Sequence, residues 1–130
     1  MTSRGKLNLF AMLLLPTAAA LAAFIVFGNV PAAALTVFGL NLVPMLIGGL
    51  VAALLLRVAR RAGSDIAGSI ALWPSLIPAV AGAAGYLFRA FVPDPVAPAS
   101  EYISGPQYLL MAVVVLSVVA WSGSLIARRR

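Results

Sequence analysis

The sequence predicts an all-α integral membrane protein in which one domain, residues 1–130, forms a bundle of four transmembrane helices. Hydrophobic residues make up 63% of the chain and charged residues 9%, whereas a soluble domain carries about 25% charged residues. Apolar segments long enough to cross a bilayer, which takes ~20 residues, occupy nearly all of the chain, and most charges fall between them. Lipid is therefore the expected solvent.

The four predicted spans follow one another with short connections. They cover about residues 7–30, 35–56, 66–92 and 107–127. The second connection is basic and ends at Ser64 and Asp65, either of which is a suitable helix N-cap. Between Pro93 and Pro106 four prolines favour an extended, irregular loop.

The orientation follows from the cations, because short loops rich in Lys and Arg stay on the cytoplasmic side during insertion. Eight of the nine cations fall on one side of four alternating spans: Arg4, Lys6, Arg57, Arg60, Arg61, Arg128, Arg129 and Arg130. Only Arg89 falls on the other. Both termini are therefore expected in the cytoplasm. The bias towards Ala, Val, Leu and Arg suggests a bacterium of high genomic GC content, and the expected location is its inner (plasma) membrane.

A secretory signal peptide is an alternative interpretation of the first segment. A basic start, an apolar run and the residues 31–34, Pro-Ala-Ala-Ala, resemble its three regions. The apolar run exceeds twenty residues, however, which is longer than the usual apolar region of a signal peptide. We therefore expect this segment to remain as the first span.

Prolines inside the spans predict bends, because each proline removes a backbone donor. They are Pro16, Pro44, Pro74 and Pro78. The segment Trp73-Pro74-Ser75-Leu-Ile-Pro78 predicts a kink in the third span, with Ser75 as a donor to a freed carbonyl. Broken helices line binding sites in many transporters, but a kink also simply fits one helix around its neighbours.

Small residues recur on one face of each span, as expected where helices approach closely in lipid. These stripes are Ala18, Ala19, Ala22 and Ala23 in the first span; Asn41, Met45, Gly48 and Ala52 in the second; Gly68, Ala71, Ser75, Ala79, Gly82, Tyr86 and Arg89 in the third; and Ser117, Ala120 and Ser124 in the fourth. Ordinary helix packing explains them, and a pore or substrate cleft is the alternative.

Polar groups within hydrocarbon are costly and are the first place to look for function. No charged residue lies in the central part of any span. Asn41 is the best candidate, with an interhelical hydrogen bond as its expected role and contact with an ion or substrate as the alternative.

Arg89 is the exception to the inward bias of the cations, and it falls near the outer end of the third span. We expect it to pair with Asp94 or Glu101 in the following loop, or to extend to the headgroups; attraction of an anion is the alternative. Nearby aromatic residues are expected to form an interfacial belt: Tyr86, Phe88, Phe91, Tyr102 and Tyr108.

Several function classes fit this sequence poorly. Histidine and cysteine are absent, and no pair of carboxylates or activated nucleophile suggests an enzyme, a cofactor site or a metal site. Nucleic acid is not an expected partner, because the cations are scattered at the ends of spans. In length and layout the chain resembles the small multidrug-resistance exporters, but their mechanism depends on a glutamate in the first helix, and residues 7–30 contain no acid.

The sequence favours a non-enzymatic accessory or assembly subunit of a larger membrane complex, in contact with lipids and with other membrane subunits. This interpretation depends on the small size of the chain and on small-residue faces that exceed what four helices need internally. A homo-oligomeric transporter, channel or pore-former is the main alternative, and a lipid-binding or holin-like role is a third.

Overall fold

The computed structural model describes residues 2–93, 95–96 and 99–129, and within them every regular element is a helix. The elements are α1 (Ser3–Phe27), α2 (Pro31–Ala62), α3 (Asp65–Ile70), α4 (Trp73–Phe91) and α5 (Glu101–Arg128). Helices α1, α2 and α5, and α3 together with α4, are each long and apolar enough to cross a membrane. The prediction of four spans is confirmed at this level.

Local chemistry explains where the helices begin. The Gly5 N–H donates to Thr2 Oγ1 (3.1 Å) at the start of α1, and α2 begins at Pro31, whose fixed φ suits a first helical position. The Ala67 N–H donates to Ser64 Oγ (3.2 Å), so Ser64, one of the two predicted candidates, is the N-cap of α3.

The turn between α2 and α3 takes only two residues because Gly63 adopts the left-handed conformation, with φ of 68° and ψ of 23°. Its N–H donates to the Arg60 carbonyl (3.2 Å), and the next N–H, from Ser64, donates to the Ala59 carbonyl (3.1 Å). This Schellman arrangement satisfies two carbonyls that the end of the helix would otherwise leave unpaired.

The predicted boundaries are wrong by several residues at the charged and proline-containing ends. Helix α2 continues through Ala62 rather than ending at Leu56, because its arginines are good helix formers as well as charges that stop a span. Helix α5 begins at Glu101 rather than Gln107, so Pro106 lies inside the helix and not in a loop. At that position the proline removes one backbone hydrogen bond near the start of the helix.

The third span is divided into α3 and α4 at Ala71 and Leu72, one residue before the predicted Trp73–Pro78 segment. Pro74 occupies the first turn of α4, where a missing N–H costs little. Pro78 lies within α4. The break is therefore next to the predicted position, and the angle of a kink stays a prediction.

The four spans alternate in direction, and α1 and α5 lie on opposite sides of the pair formed by α2 and the third span. The predicted small-residue stripes face the interior: those of α1 and α2 are wholly buried, and Ala71, Ser75 and Ala79 are buried in the third span. We call the end with Arg4 and Asp65 the cation end and the end with Tyr86 and Tyr102 the tyrosine end.

Candidate functional site

A buried polar cluster joins three helices at the tyrosine end. The Tyr86 hydroxyl on α4 donates to Asn41 Oδ1 on α2 (2.9 Å), and the backbone carbonyl of Glu101 on α5 is a second acceptor at 3.3 Å. Asn41 is 1% exposed and Tyr86 is 4% exposed. The predicted interhelical hydrogen bond of Asn41 is thus confirmed.

Both polar atoms of the Asn41 amide are used within the bundle. Nδ2 donates to the Val37 carbonyl one turn earlier in α2 (2.9 Å), while Oδ1 accepts from Tyr86. Tyr102 covers the cluster, with its ring centroid 5.4 Å from that of Tyr86 and 5.3 Å from that of Phe27 on α1. Each polar atom of the amide therefore already has a partner within the bundle.

The expected aromatic belt divides into two groups. Tyr86 and Tyr102 are buried among the helices, whereas Phe88, Phe91 and Tyr108 are exposed, as an interfacial belt requires. For the two tyrosines the prediction is wrong. The position of Tyr86 on the small-residue stripe of the third span was the better indication of its burial.

The middle of the bundle is a close crossing of α2 and α4 at Gly48. A Cβ placed on Gly48 would lie 2.5 Å from the Pro74 carbonyl oxygen, so only glycine fits there. Pro78 has no N–H to donate to that same carbonyl. The proline and glycine therefore produce close packing between two helices rather than an opening.

The Ser75 hydroxyl is buried and donates to the Leu72 carbonyl at 3.2 Å. The same carbonyl already accepts from the backbone N–H groups of Leu76 (2.8 Å) and Ser75 (3.2 Å). The prediction that Ser75 pairs with a carbonyl freed by proline is therefore wrong. Of the other predicted positions, Pro44 is buried one turn after Asn41, and Trp73 is partly exposed on the surface of the bundle.

An open groove of about 360 Å³ lies between α4 and α5, with Arg89 and Glu101 at its tyrosine end and Tyr108 further along α5. Within the described residues neither Arg89 nor Glu101 forms an ion pair. The Arg89 guanidinium instead lies 5.5 Å from the ring centroid of Phe88. Asp94, the other predicted partner of Arg89, lies outside the described residues.

The cation end carries contacts that the sequence did not indicate. Arg4 forms an ion pair with Asp65 (2.8 Å) and donates to Ser69 Oγ (3.1 Å). Buried Asn8 on α1 donates to the Gly49 carbonyl on α2 (3.0 Å). A lone asparagine in an apolar span was a usable signal for Asn8, but nothing local links Arg4 to a carboxylate 61 residues away.

These contacts describe a helical bundle in which polar side chains connect helices to one another. Within the described residues no group of three His, Cys, Asp or Glu side chains could hold a metal ion. The chain thus falls in the class of small helical bundles with four membrane-length apolar helices. Comparisons with family models, with curated proteins and with solved structures each find no match.

Proposed function

We propose that the protein is a non-enzymatic accessory or assembly subunit that packs through α5 against larger membrane proteins. The observation that carries this proposal is the unequal use of the helices. Within the apolar 18-residue segment of α5, only 22% of the residues are buried in the bundle, whereas 50% are buried in the corresponding segment of the third span. Helix α5 therefore has the largest share of surface available to lipid or to another protein.

The small-residue faces on α1 and α2 are buried inside the bundle, so they do not provide the surplus packing surface that the sequence predicted for a partner. Support comes instead from the outer face of α5, which exposes Val114, Val115, Val118, Val119 and Trp121. A rigid, β-branched surface loses little side-chain freedom when it packs against a partner.

The interior of the bundle supports a structural rather than a transporting role. Leu15, Met45 and Val113 are fully buried and separate the polar cluster at the tyrosine end from the ion pair at the cation end. Ions and polar substrates need polar groups or water along their path. A single copy of this bundle therefore offers them an apolar barrier.

The experiment is to extract the tagged full chain from its native membrane in mild detergent, measure the particle mass and identify co-purifying chains. Val118→Trp on α5 is the test variant and Val43→Trp on α2 the matched control, since these valines are 59% and 56% exposed. We expect stoichiometric larger partners with the wild type and the control, and their loss with Val118→Trp. Homogeneous homo-oligomers without partners would overturn the proposal.

Flux assays in liposomes separate this role from that of a homo-oligomeric channel or carrier. Ser75→Ala and Asn41→Leu change the buried polar positions of the third and second spans. An accessory subunit keeps its partners in both variants. Flux through the wild type that both variants abolish would favour the transporter instead.

We further propose a bacterial inner-membrane location with both termini in the cytoplasm. Its support is the collection of cations at one end of the bundle, where α1 begins and α5 ends. The chain has no cysteine, so Arg129→Cys and Pro95→Cys each introduce a single label. A membrane-impermeant thiol reagent applied to intact cells should label Pro95→Cys only, and the reverse pattern would contradict the orientation.

A further inference from the structure

The groove between α4 and α5 is shaped by one continuous face of each helix. On α4 the lining residues run from Ile77 to Arg89 and are spaced by about one helical turn, so they share one face of the helix. On α5 they run from Glu101 to Leu116. Small residues line its centre: Ala81, Gly82, Gly85 and Ala112. We call this groove, which is open at the surface of the bundle, the furrow.

The length of the furrow matches half of a bilayer. Arg89 lies twelve residues after Ile77 in α4, which corresponds to about 18 Å along the helix axis. One leaflet of a hydrocarbon core ~30 Å thick measures about 15 Å. The furrow therefore runs from the headgroup level, marked by Arg89 and Glu101, to about the middle of the membrane.

The two charges at the mouth of the furrow have opposite signs and are not paired with each other. Arg89 comes from the end of α4 and Glu101 from the start of α5, and no ion pair joins these two described residues. A guanidinium binds phosphate oxygens well, and a carboxylate accepts hydrogen bonds from an ammonium group. The mouth thus presents complementary charges to a zwitterion.

We propose that the furrow binds one phospholipid with an amine-bearing headgroup. One acyl chain lies between α4 and α5, the phosphate contacts Arg89, and the ammonium group contacts Glu101. The apolar walls supply dispersion contacts with the chain, while the charges select the headgroup. This binding does not depend on the accessory role, because it involves the opposite flank of α5 from Val118.

Gly85 gives a direct test, because it faces the furrow without packing against another helix. A Cβ placed there meets no atom within 4 Å, so Gly85→Leu fills the furrow and leaves the bundle contacts in place. Gly39 on α2 has the same open surroundings and does not line the furrow. Gly39→Leu is therefore the matched control.

The measurement is native mass spectrometry of the delipidated full chain in detergent, titrated with phosphatidylethanolamine. We expect Gly85→Leu to bind about tenfold more weakly than the wild type, since the leucine takes the place of the acyl chain. Gly39→Leu should bind like the wild type. Circular dichroism of each variant in the same detergent establishes that the helices are retained. Equal binding by the two leucine variants would overturn the proposal.

A second titration with phosphatidylglycerol tests the headgroup assignment. The wild type should favour phosphatidylethanolamine by about fivefold, because only that lipid offers an ammonium group to Glu101. Glu101→Gln should abolish the preference. Arg89→Gln should lower the affinity for both lipids by a similar factor. No preference in the wild type, or one that survives Glu101→Gln, would overturn the assignment even if chain binding persists.

Discussion

The two ends of the bundle use polar side chains in opposite ways. At the tyrosine end, Asn41 and Tyr86 bond to each other while almost fully buried. At the cation end, Arg4 and Asp65 form an ion pair with side chains 36% and 89% exposed. When one partner of a buried hydrogen bond is removed, no water replaces it and the other partner stays unsatisfied. When one partner of an exposed ion pair is removed, water hydrates the other. Stability should therefore depend far more on the tyrosine end.

The strongest test of this comparison is Asn41→Leu. We expect a loss of about 2 kcal/mol in the free energy of unfolding, because Tyr86 loses its closest acceptor in a buried site. Unfolding by titration with sodium dodecyl sulphate in mixed micelles measures it. In a Tyr86→Phe background the same change should cost less, with a coupling of about 1 kcal/mol. Additive losses would show that the hydrogen bond does not join the two helices.

A second test moves the tyrosine rather than removing its partner. A Cβ on Gly105 would lie 2.5 Å from the Tyr86 hydroxyl oxygen, whereas one on Gly85 meets nothing within 4 Å. Both Gly→Ala changes gain the same helix propensity. We expect Gly105→Ala to be about 1 kcal/mol less stable than Gly85→Ala in the same unfolding titration. Equal stabilities would mean that the hydroxyl moves freely.

Asn8 is an intermediate case, since it is buried but its amide is only half used. Nδ2 donates to the Gly49 carbonyl, while Oδ1 has no partner within the described residues. Asn8→Leu removes one hydrogen bond together with one unsatisfied oxygen, so the expected loss is about 0.5 kcal/mol. A loss as large as that of Asn41→Leu in parallel titrations would contradict this ranking.

The smallest effect belongs to the exposed ion pair. Asp65→Asn removes the negative charge and retains Ser64 as the N-cap of α3, so we expect a loss of at most about 0.5 kcal/mol. The loss should shrink between about 0.01 M and 1 M salt, because the screening length falls from ~30 Å to ~3 Å. A salt-independent loss of larger size would place the pair in a drier environment than its exposure indicates.

Hydropathy and helical periodicity predicted the four spans and their buried faces, because hydropathy and residue spacing can be read from each helix alone. Asn41 was also predictable, since a lone amide on a small-residue face has few other uses in lipid. Its partner Tyr86 was harder to assign. An aromatic residue near a span end fits both an interfacial belt and a buried contact, and only the packing of α5 distinguishes them.

Contacts between distant parts of the chain left no local signal. The pairing of Arg4 with Asp65 depends on how α1 and α3 meet. The closeness of the Pro74 carbonyl to Gly48 depends on the crossing of α2 and α4. The end of α2 was missed for another reason. Arginine marks the end of a transmembrane span, but it is also a good helix former, so the helix continues past the span.

The length of α2 gives the bundle an uneven profile. Its 32 residues extend about 48 Å at the rise of an α-helix, some 18 Å more than a hydrocarbon core of ~30 Å. A moderate tilt absorbs only part of this excess. We expect the last turns of α2, with Arg57, Arg60 and Arg61, to extend beyond the hydrocarbon core into the headgroup region and the water. The tyrosine end should lie close to the level of the headgroups.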